Sequence, residues 1–285
     1  MADEQKKGGC PGGGNCSGCG HSCSSEDRKL HENLARIKHV ILVMSGKGGV
    51  GKSTVAVNLA TALSVEGFST GLMDIDFHGP SVPKMLQLEG QQLYGEDDMI
   101  LPVEKGALKV MSIGFSLPSP DHAVIWRGAV KYNVIRQFLG EVKWGDLDYL
   151  VIDAPPGTGD EPLNVCQLLP QADGAVVVTT PQQIAASDVA KSLDFLRQLE
   201  FPVLGIVENM SGFVCPHCGE VTEIFSHGAG EALAGQFGVP FLGRIPIDAA
   251  VCQCGDSGRP FSYSRAETPA GKAFAAIVAK LTGGQ

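Results

Sequence analysis

Residues 46 to 54 read Gly-Lys-Gly-Gly-Val-Gly-Lys-Ser-Thr, a glycine run closing on a lysine and two hydroxyls. That combination suits the holding of a polyphosphate. Gly46, Gly48, Gly49 and Gly51, with Val50 between them, let main-chain N–H groups converge on phosphate oxygens with no Cβ in the way. Lys52 is placed to reach the β- and γ-phosphates, and the Ser53 hydroxyl to ligate Mg²⁺, with Thr54 next in line. Such a phosphate-binding loop (P-loop) needs a strand before it and a helix start after it, and the helix adds the positive end of its dipole.

A second chemistry is written in the cysteines. Cys215-Pro216-His217-Cys218-Gly219 is a tight turn that brings two thiolates onto one metal. His217 reads as a turn residue rather than a ligand. Two thiolates are half of the usual four. Two chains related by a two-fold axis could place their pairs around one [4Fe–4S] cluster. Alternatively, Cys252 and Cys254 could complete a zinc site within one chain. Cys10, Cys16, Cys19 and Cys23 form a third group, close enough in sequence to enclose a second cluster or a zinc ion. Cys166 stands alone on an expected helix, without a role.

These residues need elements to position them. Val40 to Met44 is a continuous apolar run, as a buried parallel strand requires, and it leads directly into the glycine loop. A helix is expected from about Lys52 to Glu66. A second strand, Thr70 to Met73, ends at the carboxylates Asp74 and Asp76. Further buried strands are expected at 109–113, 149–152, 175–179 and 203–207, with helices between most of them, for example 185–199. Ser24 or Ser25 caps a short helix whose Leu30, Leu34 and Ile37 share a face, and a last helix runs from about Thr268 to Leu281. Alternating strands and helices imply an α/β fold, a mainly parallel sheet covered by helices on both faces. Residues 1–24 read as a flexible Cys-rich leader and 25–285 as one ATPase domain.

The chain has 285 residues and a net charge of −9, from 31 acidic and 22 basic side chains. An acidic surface lacks the basic footprint of nucleic-acid binding. No apolar run approaches the roughly 20 residues needed to span a bilayer, so no membrane partner is expected. The polar, Gly- and Cys-rich N-terminus is no signal peptide. A cytoplasmic, reducing compartment is expected, where nine cysteines favour metal ligation over disulfides.

Lys47, early in the loop, makes it resemble the deviant Walker A group of ATPases, which includes MinD, ParA and the nitrogenase iron protein. In that group the early lysine commonly crosses a dimer interface to the partner's nucleotide, so the resemblance implies an ATP-dependent homodimer. It also implies a first switch at Asp74-Ile75-Asp76, with Asp76 orienting or activating the attacking water. The run from Leu150 to Asp160 looks like a Walker B strand and a second switch. Asp153 would then hold the Mg²⁺ shell, with Gly157 and Gly159 letting the loop rearrange. Asn209 is similar in position to an adenine-reading asparagine.

The resemblance narrows to the Mrp/ApbC/Nbp35 family of iron–sulfur cluster carrier ATPases, from about Ile37 to Lys280. It rests on the deviant P-loop, Asp74-Ile75-Asp76-Phe77-His78-Gly79-Pro80-Ser81 and Asp153-Ala154-Pro155-Pro156-Gly157-Thr158-Gly159-Asp160. Glu208-Asn209-Met210-Ser211, the Cys215/Cys218 pair and Gly255-Asp256-Ser257-Gly258 complete it. The resemblance implies that Cys215 and Cys218 bridge a labile [4Fe–4S] cluster between two subunits. It further implies that the cluster passes to apo iron–sulfur proteins under control of ATP hydrolysis. The leader cysteines are spaced more closely than the family's eukaryotic branch has them, so a second cluster there is not transferred by spacing. Cys252 also departs from the family, which usually has a polar or basic residue at that position. Two other functions fit parts of this pattern. An ATP-gated electron-transfer reductase would also use a bridging cluster. A ParA/MinD-type positioning ATPase would share the loop but not the cysteine pair.

Overall fold

A computed structural model describes residues 25–117, 126–215, 217–263 and 267–283. The leader cysteines Cys10, Cys16, Cys19 and Cys23 lie outside the described residues. The strands are β1 (Ile37–Ser45), β2 (Thr70–Asp74), β3 (Gly95–Glu96), β4 (Met99–Ile100), β5 (Val103–Lys105), β6 (Leu108–Ser112), β7 (Leu147–Asp153), β8 (Gly174–Thr179), β9 (Val203–Val214), β10 (Val221–Thr222) and β11 (Phe241–Ile247). The helices are α1 (Ser25–Leu34), α2 (Lys52–Val65), α3 (Val82–Met85), α4 (Gly128–Glu141), α5 (Asp160–Leu168), α6 (Gln183–Gln198), α7 (Ala229–Phe237), α8 (Ala249–Asp256) and α9 (Pro269–Leu281).

The main sheet runs β10-β9-β8-β1-β7-β2-β6-β5, with β11 also paired to β9. The pairs from β6 across to β9, and β11 on β9, are parallel; β5 and β10 are antiparallel additions. Parallel strands covered on both faces must be apolar throughout. Accordingly Ile41 to Met44, Leu150 to Ile152 and Ala175 to Val178 are buried. Helix α2 lies deep in the molecule and buries Val55 to Ala60 along with Leu63. Its first residue is Lys52, so the most enclosed helix delivers the loop lysine into the sheet's C-terminal edge.

Three expectations change. Ile37 opens β1 rather than closing α1, which ends at Leu34; the chain turns between them, and α1 buries Leu30 and Asn33. Strand β9 runs seven residues past Val207. Its distal part pairs with β10 as a hairpin, Val221 opposite Val214 and Thr222 opposite Phe213. Asn209 therefore lies within β9, not after it. The β3–β4 hairpin and β5 were not expected; they are too short to show a hydrophobic period. Among the described residues, no helix is long and apolar enough to cross a membrane.

Candidate nucleotide and metal sites

The loop between β1 and α2 is shaped by its glycines. Gly49 and Gly51 sit at φ 80° and 82°, left-handed backbone that other residues adopt at a cost. Gly46 lies against α6, where a Cβ would stand 2.4 Å from the main-chain carbonyl carbon of Asp188. Ser45 Oγ donates to the Lys47 carbonyl at 3.0 Å, and the Gly157 N–H donates to the Ser45 carbonyl at 2.7 Å. The second glycine segment is thus tied to the root of the first. Lys47 is half-exposed, and its ammonium has no partner among the described residues.

Lys52 is buried among carboxylates. Its Nζ is 2.6 Å from Asp153 Oδ1, 3.7 Å from Asp76 Oδ2 and 3.1 Å from Ser53 Oγ. Asp74 and Asp153 are register partners at the ends of adjacent parallel strands. Burial, reinforced by the neighbouring Asp153 charge, pushes Asp74 up to about 7. Asp74 Oδ2 accepts from Ser112 Oγ at 2.8 Å, and Oδ1 from the Asp76 N–H at 3.1 Å. Burial also pushes Asp153 upward, against the pull of Lys52. Asp153 Oδ2 is buried without a hydrogen-bond partner among the described residues. A bare buried carboxylate oxygen is costly. A hydrated divalent cation beside Ser53 would satisfy it, so the donor set fits Mg²⁺.

Asp76 Oδ1 accepts from the N–H groups of His78 and Gly79, each at 3.3 Å, which orders the segment after β2. Sequence reasoning missed the groups behind it. Lys131 on α4 and Glu161 on α5 are both buried, with Nζ 2.5 Å from Oε1. Lys131 Nζ is also 3.1 Å from His78 Nε2 and lies over the Phe77 ring. This pair joins the segment after β2 to the helix after β7. Lys131 belongs to no motif and could not be found from one sequence; Glu161 directly follows the expected second switch.

Asn209 Nδ2 donates to the Val50 carbonyl of the loop at 2.8 Å. Its Oδ1 has no partner among the described residues. Glu208, fully buried, accepts from Ser211 Oγ at 2.7 Å, from Gly230 N at 2.7 Å and from Arg244 Nε at 3.3 Å. Six residues past Asn209, Cys215 closes a turn in which its carbonyl accepts from Gly219 N and its N–H donates to the Glu220 carbonyl, both at 2.9 Å. The main-chain N–H groups of Cys218 and His217, with the Cys218 thiol, hold the Cys215 thiol below its usual range. Hydrogen bonds that favour a thiolate also suit a metal ligand. Exposed Val221, Ile224 and Phe225 follow the turn.

Among the described residues, no group of three or more His, Cys, Asp or Glu gathers in a way that could hold a metal ion. The four-cysteine zinc site within one chain is therefore not assembled. Cys252 and Cys254 lie two apart on α8, a spacing that points side chains to different faces. Cys252 is exposed, and Cys254 packs against the core. Cys166 is buried, and burial pushes its thiol up to about 12.

A mainly parallel sheet whose central strand feeds a glycine loop, with a lysine and carboxylates at the sheet's C-terminal edge, defines a P-loop NTPase. The chain belongs to the family described as NUBPL iron-transfer P-loop NTPase, whose profile matches residues 36–282. It is 50% identical over 252 residues to the iron-sulfur cluster carrier protein of Methanocaldococcus jannaschii, covering 88% of this chain and 87% of that one. It is 50% identical over 256 residues to the cytosolic Fe-S cluster assembly factor NUBP2 homolog of Nematostella vectensis, covering 88% and 95%. A solved nucleotide-binding protein of Archaeoglobus fulgidus, in complex with ADP, superposes with a TM-score of 0.74 at 43% identity over 84% of this chain and 93% of that one. The MinD cell division protein of Aquifex aeolicus shares the fold at 21% identity, with a TM-score of 0.63 over 86% of this chain and 97% of that one.

Proposed function

We propose that this chain is an ATP-hydrolysing carrier of iron–sulfur clusters. Two copies hold one [4Fe–4S] cluster between their Cys215–Cys218 pairs and pass it to apo-proteins, with hydrolysis controlling loading or release. The observation that carries the reading is the turn at the tip of β9. It presents two thiol groups, half a ligand set, on the strand whose Asn209 touches the P-loop. The named function of the relatives at about half identity points the same way.

In this reading the loop's N–H groups and Lys52 bind the phosphates. Ser53 and Asp153 would hold Mg²⁺, which neutralises phosphate charge when bound. Asp76 orients a water for attack on the γ-phosphorus; the bond to the β-phosphate oxygen breaks, and ADP and inorganic phosphate leave. Lys47, whose ammonium has no partner among the described residues, reaches the partner copy's nucleotide. Asn209 Oδ1, without a partner among the described residues, meets the adenine. Cys10, Cys16, Cys19 and Cys23 enter as the ligands of a second cluster. The cytosol, where the assembly-factor relatives are named as working, is the proposed compartment.

Anaerobic reconstitution, followed by iron and sulfide analysis and Mössbauer spectroscopy, tests the reading. Cys215→Ser is expected to lose about four irons per dimer. A full complement in that variant would refute the bridging assignment. Mixing the loaded carrier with an apo-protein that needs a [4Fe–4S] cluster separates transfer from electron delivery. The carrier loses iron in the first case and keeps it, changing redox state, in the second.

A further inference from the structure

We propose that Asn209 is a positioning residue that transmits phosphate occupancy of the P-loop to the Cys215–Cys218 turn; this rests on the carrier reading above. The Val50 carbonyl and the Gly51 N–H belong to the same plane, and the peptide is trans. In a trans peptide the two groups point in opposite directions. Asn209 Nδ2, bonded to that carbonyl at 2.8 Å, therefore aims the Gly51 N–H away from β9. That N–H has no acceptor among the described residues, and P-loop N–H groups are the donors a phosphate takes up. A phosphate drawing on the Gly51 N–H rotates or locks the plane that Asn209 holds from the other side. The approach is close: a Cβ on Gly51 would stand 2.2 Å from Asn209 Nδ2.

The other end of the link is the backbone just after Asn209. Met210 sits at φ 57° and Gly212 at φ 76°, so β9 is bent between Asn209 and the cysteine turn. A methionine in left-handed backbone is unfavourable and persists only where its surroundings hold it. Here both flanks are held. Asn209 is tied to the loop, and Ser211 is tied to the Glu208 carboxylate, which α7 and Arg244 pin in place. Cys215 lies six residues beyond Asn209, at most about 20 Å of extended chain. A small rotation at this bent joint is enough to re-aim the hairpin tip. The turn then changes direction according to whether the loop is filled.

The test reads the cysteines separately from the cluster. Apo-protein is alkylated with iodoacetamide, and the rates at Cys215 and Cys218 are followed by peptide mass spectrometry. Rates are compared without nucleotide and with a non-hydrolysable ATP analogue and Mg²⁺, raised to saturation for each protein. In the unaltered chain the nucleotide is expected to change the rate at one or both cysteines about fivefold or more. In Asn209→Ala that ratio should collapse toward one. Asn209→Asp keeps the shape but sets an acceptor against the Val50 carbonyl, and should lose the ratio too. It decides the matter if the alanine variant no longer takes up nucleotide. A merely structural role would shift both rates and leave their ratio in place. A ratio preserved in the variants, or absent from the unaltered chain, overturns the proposal. Anaerobic reconstitution of the unaltered chain judges the carrier reading independently: a nucleotide response without cluster binding would keep the link and remove the cargo.

Discussion

Lys52 Nζ lies 2.6 Å from Asp153 Oδ1 in a site where both groups are buried, while the second Asp153 oxygen is left without a hydrogen-bond partner among the described residues. The lysine is thus a structural counter-ion in addition to the phosphate-binding role proposed for it. Lys52→Met should destabilise the nucleotide-free protein by about 3 kcal/mol, because an unpaired buried carboxylate remains. The same variant should lose nucleotide binding. Urea unfolding and nucleotide titration check the two effects; unchanged unfolding would mean that the ion pair holds nothing together.

Asp74 supplies a pH dependence with a definite sign. Its folded-state value is raised to about 7 by burial and by the Asp153 charge, above the 3.8 of a free carboxyl. A raised folded value means that the native state holds its proton more tightly than the unfolded chain. The resulting stabilisation is full below about pH 4 and is lost as pH rises toward 7. Within that window this group alone should weaken the nucleotide-free protein by about 1.4 kcal/mol per pH unit. Asp74→Asn keeps a partner for Ser112 Oγ and the Asp76 N–H but cannot titrate. Its unfolding free energy should therefore fall less steeply than the wild type's between pH 4 and 7; parallel curves would count against the shift.

Much of this arrangement was legible because it is local. The strand before the loop, the glycines, Lys52 and the carboxylates at the ends of β2 and β7 follow one another in short runs with fixed periods. What was not legible depends on distant pairing. Residues 203–207 show the apolar run of a doubly covered strand, whereas 208–214 continue β9 with mixed residues, because β10 and β11 complete it. Asn209 could be singled out but not its bond to Val50, which joins residues 159 apart. Lys131 and Glu161 meet only because α4 packs beside α5, a fact no periodicity carries.

That pair leads to a third expectation. Lys131 and Glu161 are 9% and 6% exposed, and their ion pair also touches His78 in the segment after β2. Lys131→Met alone should cost about 3–5 kcal/mol by leaving Glu161 charged and buried. The double variant Lys131→Met with Glu161→Leu should recover most of that loss, since replacing both partners by apolar groups is often neutral. The double variant should still hydrolyse ATP more slowly, because the strut between the two segments is gone. A double-mutant cycle in urea, run alongside phosphate-release rates, separates the two effects. Hydrolysis that recovers together with stability would make the pair purely structural.

Two glycines of the loop should differ in how the empty protein tolerates the same methyl group. At Gly46 a Cβ would lie 2.4 Å from Asp188 C and 2.6 Å from both Asp188 O and Val189 N. These are main-chain atoms inside α6, which a rotamer change cannot move. At Gly48 the nearest atom to a built Cβ is Pro156 Cγ at 4.0 Å, ordinary contact, and the backbone there is not left-handed. Gly46→Ala must therefore push α6 and the loop apart even with no ligand present, at about 1–3 kcal/mol or more. Gly48→Ala should change the melting temperature of the empty protein by less than the equivalent of about 0.5 kcal/mol. Both should weaken nucleotide binding, the first because the loop is displaced, the second because the methyl group enters the space where main-chain N–H groups meet phosphate. Thermal melts without and with ADP and Mg²⁺ distinguish them: Gly46→Ala starts lower and gains little, whereas Gly48→Ala starts level with the wild type and also gains little. Equal starting points for the two variants would mean that α6 does not confine the loop at Gly46.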